Sequence, residues 1–307
     1  MTATDHVRWL SNPKLHSPAV IAAFSGWNDA ADASSTAVRT LIDAWRAEPL
    51  AEIDPEEFTD FASLRPIVRL DSDNHRTIVW PKVSLWHAST PGTDVILVLG
   101  PEPSLKWRLF TEQIVSVAVR FEASMVLTLG ALLADVPHNR DVQVIGTATE
   151  TGMIERFDLQ RSRYEGPTGI VGVLHDACNQ SSLPSASLWA AVPAYASQIT
   201  SPKAANALIA RAGEIIGTPA PLGSLHNAVV AYESRVDELV AEDEDLKEYV
   251  ERLETMGDDA FGADNQNQLQ FQFEDDDDAG DDDADTDVNA GSLADEVEQF
   301  LRDQDGK

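Results

Sequence analysis

Short apolar runs of strand length recur along the chain and alternate with helical patterns. Val20–Phe24, Thr77–Trp80, Val83–Trp86, Asp94–Leu99, Ser124–Leu129, Val142–Thr147, Ile170–Leu174 and Leu188–Val192 read as strands. Several are unbroken, and an unbroken run has no solvent face, so it must be covered on both sides. Between them, Asp29–Trp45, Lys106–Phe121 and Pro202–Ile216 read as helices. That order predicts the α/β class: a mixed, mostly parallel sheet clad by helices. With 307 residues and 43% hydrophobic content the chain can bury a large core, as one α/β domain with appendages or as two domains. The α/β core is expected over residues 1–220.

Residues 221–256 differ. Leu225, Val229, Tyr232, Val236, Leu239, Val240, Leu246, Val250 and Leu253 recur at three-and-four spacing, which predicts an amphipathic helical hairpin or one long helix. Residues 257–291 are too polar and acidic to fold alone and are expected to form a disordered acidic linker. In 292–307, Ser292 is an N-cap candidate, and Leu293, Val297, Phe300 and Leu301 share one face of a short terminal helix. A helix on such a tether is a candidate contact for a protein partner.

The formal charge is −30, and fifteen acids against two bases fall between Glu274 and Lys307. Phosphate binding needs a basic face, so nucleic acid is excluded as a partner. One cysteine, Cys178, permits no internal disulfide, which fits a reducing cytoplasm. The opening "MTATDHVRWL" is no signal peptide, and no apolar run reaches the ~18 residues of a membrane helix. A soluble cytoplasmic protein is expected.

Candidate site residues lie where strands end. In "FSGWNDAADAS" Gly26 lets the chain turn, Trp27 follows, and Asn28 or Asp29 can cap the next helix. The same turn sits at the carboxyl end of a strand, where open α/β sheets bind ligands. A structural role for Asn28 and Asp29 is favoured about two to one over catalysis. Further loops offer Gly100 and Glu102, then Asp135, His138 and Arg140, then Glu150 and Tyr195. Glu165, His175 and Asp176 fall in similar loops.

Six segments in order, "FSGWNDAADA", "LGPEPSLKWRLF", "LGALLADVPHNR", "GPTGIVGVLHDAC", "SLWAAVPAY" and "SPKAANALI", resemble the proteasome assembly chaperone family, in its actinobacterial branch of proteins without assigned activity. The resemblance implies a three-layer α/β/α sandwich similar to purine nucleoside phosphorylases and related hydrolases, followed by a helical C-terminal region. It implies self-association as a homo-oligomer such as a trimer, and it supplies no catalytic residues. The end "DQDGK" departs from the hydrophobic-tyrosine-any motif of proteasome-docking members, and Ala194 stands where relatives often carry histidine.

Enzyme signatures are weak beside this. GxSxG, GxGxxG and GxxxxGK[ST] are absent, and no histidine spacing suits zinc. Cys178 and His175 can share a helical face, but an inert buried thiol is the stronger reading. Asp29, Asp32, Asp135 and Glu150 could gather for magnesium, although solvated carboxylates are the default on so acidic a chain. No metal or cofactor is therefore expected. Two readings remain: a non-enzymatic oligomeric scaffold or assembly-chaperone-like protein, favoured, and a small-molecule hydrolase or nucleoside-phosphorylase-like enzyme with its site at the strand carboxyl ends.

Overall fold

The computed structural model describes residues 6–72 and 74–255. The expected acidic linker and terminal helix lie outside them. The strands are β1 (Val7–Trp9), β2 (Ala19–Ser25), β3 (Glu48–Ile53), β4 (Ile67–Leu70), β5 (Arg76–Val79), β6 (Val83–Ser89), β7 (Asp94–Pro101), β8 (Met125–Ala134), β9 (Val144–Ala148) and β10 (Ser185–Pro193). The helices are α1 (Ala33–Ala44), α2 (Trp107–Arg120), α3 (Thr151–Phe157), α4 (Ile170–Gln180), α5 (Pro202–Ile216), α6 (His226–Ala241) and α7 (Glu244–Thr255).

Eight strands form one sheet in the order β1-β3-β6-β7-β2-β8-β10-β9, while β4 and β5 form a separate ribbon. The four central strands, β7, β2, β8 and β10, are parallel, and the outer pairings are antiparallel. Ile21 lies opposite Leu97 and Leu127, and Val20 opposite Ile96 and Val126. The first row packs with α1 and α5, the second with α2 and α4. Helices thus cover both faces, and each unbroken apolar run serves two cores through the alternation of its side chains. No helix among the described residues is long and apolar enough to cross a membrane.

One expectation is corrected. Ile170–Leu174 is not a strand but the start of α4. Its β-branched run suggested extended backbone, yet Ile170, Val171, Leu174 and Cys178 follow a helical spacing and are the buried residues of α4. Burial of that stripe overrides the weak local preference of isoleucine and valine. Leu222–Glu254 contains a short turn of 3-10 helix followed by α6 and α7. Tyr232 and Val236 of α6 pack with Ala196, Tyr195 and Ile199 beyond β10.

Candidate functional site

Strands β2 and β7 are neighbours, and the helices that follow them, α1 and α2, lie on opposite faces of the sheet. The crevice at their carboxyl ends is where this architecture receives ligands. Gly26 turns there with φ +128°, a backbone conformation that suits glycine. Gly100 lets β7 approach β6, because a Cβ there would lie 2.6 Å from the Cα of Val83.

The crevice is filled by the chain's own polar groups. Glu102 Oε1 accepts from the backbone N–H of Ile170 at 2.7 Å, and the Trp27 N–H also bonds the carboxylate. Asn28, buried, accepts from Val171 N–H at 3.3 Å. Glu102 and Asn28 therefore hold the free N–H groups at the start of α4, which a helix N-terminus otherwise presents to an anion. Burial raises the Glu102 pKa, and the two N–H bonds oppose that rise. Asp29, also buried, does the same for α1: its Oδ1 accepts from Ser34 N–H at 2.7 Å, Ser34 Oγ at 2.6 Å and Ser35 N–H at 3.1 Å. Trp27 is 48% exposed.

A second cluster lies at the ends of β8 and β10. Tyr195 Oη stands 2.8 Å from both the backbone nitrogen and Nδ1 of His138, whose Nε2 lies 2.8 Å from Asp237 Oδ1 on α6. Tyr249 of α7 donates to Asp135 at 2.5 Å. Arg140 donates to the Glu254 carbonyl and Asn139 to the Glu254 carboxylate. Lys203 bonds the His138 carbonyl and the Glu233 carboxylate, both at 2.7 Å. Acid, imidazole and hydroxyl stand in line, as in a hydrolase relay, but the hydroxyl is a phenol. Burial pushes its pKa well up, and its oxygen already accepts the His138 backbone N–H. The cluster fastens α6 and α7 to the sheet.

Of the residues singled out in the sequence, Gly26, Trp27, Asn28, Asp29, Gly100 and Glu102 thus meet at one crevice, and Asp135, His138, Arg140 and Tyr195 at the seat of the helical hairpin. Glu150 joins neither: it is exposed at the start of α3, after the antiparallel β9, towards the opposite end of the sheet. There too His175 bonds Ser185 and Thr149 at 3.1 and 3.0 Å. Cys178 is buried, and burial pushes its thiol up to about 12. Among the described residues no group of three His, Cys, Asp or Glu could hold a metal ion. A cavity between Ile53, Phe58, Lys82 and Phe110 measures ≈ 10 Å³, room for one water. Sequence reasoning missed the partners Asp237, Tyr249 and Glu254 and the α4 terminus; "GPTG" before an apolar run was the legible sign of the last.

The PAC2 family model matches residues 23–240. A PAC2 family protein from Streptomyces avermitilis is 43% identical, with a TM-score of 0.71 over 76% of this chain and 99% of that one. A Mycobacterium tuberculosis proteasome-assembly chaperone homologue is 42% identical, with a TM-score of 0.69 and the same coverage. An archaeal proteasome activator from Pyrococcus furiosus shares the fold at 15% identity, with a TM-score of 0.63 over 76% of this chain and 97% of that one. No curated protein matches the sequence.

Proposed function

The chain belongs to the PAC2 family, and from that premise we propose that it is a non-enzymatic, assembly-chaperone-like scaffold of the cytoplasm, acting as a homo-oligomer such as a trimer. The observation that carries the reading is the filled crevice: Glu102 and Asn28 occupy the start of α4, and Asp29 the start of α1. An anion-binding enzyme of this architecture would use such N–H groups and the space before them for its substrate. Here they are committed to the fold, and so are the titratable residues of the second cluster. The likeness to a proteasome-assembly chaperone homologue, at 42% identity, supports a role in protein assembly. The C-terminal segment is the proposed contact for a protein partner.

The test is affinity purification of the native protein with and without Asp275–Lys307, with identification of the co-purifying proteins. A scaffold yields a defined partner. Light scattering that finds a monomer across micromolar concentrations, or turnover of nucleosides with phosphate, would defeat the proposal.

A further inference from the structure

We propose that the ribbon of β4 and β5 is the docking edge for the chain's own segment Gln268–Asp278, which lies outside the described residues. The ribbon pairs with no other strand among the described residues, and every residue of both strands is exposed. Seven of the thirteen exposed large apolar side chains among the described residues fall between Leu64 and Trp80, which concentrates them on this arm. The register sets Val68 opposite Ile78 and Leu70 opposite Arg76 on one face, with Ile67 opposite Val79 on the other. A lone two-stranded ribbon is marginally stable in water, and its two outer edges leave backbone groups open to a third strand.

Charge narrows the occupant. Between residues 64 and 82 there are four bases and two acids, in a chain of net charge −30. Arg65, Arg69 and Arg76 form no ion pair with a described residue. The complementary ligand is an extended segment, apolar at every second position and acidic beside it. "QLQFQFEDDDD", Gln268–Asp278, has that pattern: Leu269, Phe271 and Phe273 alternate with glutamine, and five acids follow. In an extended segment the three apolar residues share one face.

The thirteen residue steps from Thr255 to Gln268 span up to ~44 Å, comparable with the width of a 250-residue body whose radius of gyration is about 18 Å. A tether of this kind gives millimolar effective concentration, so a weak strand contact forms without further affinity. The segment then covers an edge that would otherwise recruit other chains, and whatever binds the arm must displace it.

Amide hydrogen exchange on the full chain tests this. In the wild type, amides within 67–70 or 76–79 are expected to exchange at least tenfold more slowly than in a chain carrying Leu269→Ser, Phe271→Ser and Phe273→Ser. Adding a peptide of residues 266–279 to that variant should restore protection. Arg69→Glu with Arg76→Glu should lose protection as the triple variant does. The altered tail positions lie outside the described body, whose amides report intact folding. Equal exchange of the arm in wild type and triple variant overturns the proposal: equally fast means that the arm is uncovered, and equally slow with a concentration dependence means that a second copy covers it.

Discussion

Glu102→Ala removes the acceptor that holds the start of α4. The Ile170 and Trp27 N–H groups lose their partner; the donor at buried Ile170, left unmade, costs about 1–3 kcal/mol, while half-exposed Trp27 costs less. The carboxylate's favourable position at the helix terminus adds about 0.3–2 kcal/mol, and relief of its own desolvation offsets part of the loss. A net destabilisation of about 2–4 kcal/mol is expected, which for a body of this size lowers Tm by about 4–16 °C. Glu102→Gln separates charge from contact. Because burial raises the Glu102 pKa above its ordinary 4.5, folding favours the protonated form. That contribution is complete below pH 4.5 and is lost as pH rises through the folded value. The wild type should therefore lose stability relative to the non-titrating Gln variant as pH rises above about 4.5. Thermal unfolding followed by circular dichroism at several pH values measures both effects. An unchanged Tm for Glu102→Ala, or stabilisation of the wild type by inorganic phosphate, would show that the α4 terminus is open and refute the filled-crevice argument.

Tyr195→Phe should cost about 1–3 kcal/mol by stripping the buried His138 of its hydroxyl partner, and limited proteolysis should then cut faster within α6 and α7. Gly169→Ala should destabilise by about 1–3 kcal/mol in thermal melts, since the new Cβ would lie 2.3 Å from Asn28 Oδ1. Trp27→Ala should cost about 2–3 kcal/mol in the same assay, less than loss of a fully buried tryptophan, because the residue is 48% exposed. Cys178, buried with its thiol pushed up to about 12, should resist a thiol reagent at pH 8 in the native protein and react only in urea.

The central sheet was legible because its strands are buried on both faces, so Val20–Phe24 and Asp94–Leu99 could be little else. The outer strands were not: Glu48–Ile53 mixes a proline and two glutamates with its apolar residues and is a strand through its pairing with β6. Ile170–Leu174 misled because its β-branched residues outweighed, on paper, a helical stripe that only the α2 layer makes decisive. At the site, individual caps could be guessed but not their targets. Asp29 caps the helix that follows it, a local relation that spacing reveals. Asn28, one residue earlier, caps α4, which lies more than a hundred residues away, and no local pattern encodes that partner. His138 with Asp237 and Asp135 with Tyr249 are of the same non-local kind.

The two clusters at the strand ends differ in the work they do. Glu102, Asn28 and Asp29 bind helices that are already parts of the two apolar cores, so their bonds orient elements that burial holds in place. The α6 and α7 hairpin has less apolar support: Tyr232, Val236, Val250 and Leu253 are its buried residues, and much of its attachment runs through charged and hydroxyl groups. Asp237, at a side-chain exposure of 69%, is open to water while its partner His138 is buried. Polar contacts open to water contribute little net energy beside apolar burial, and local opening follows the weakest attachment. Among the described elements the hairpin is thus expected to open first, which faster amide exchange in α6 and α7 than in α1, α2, α4 and α5 would register.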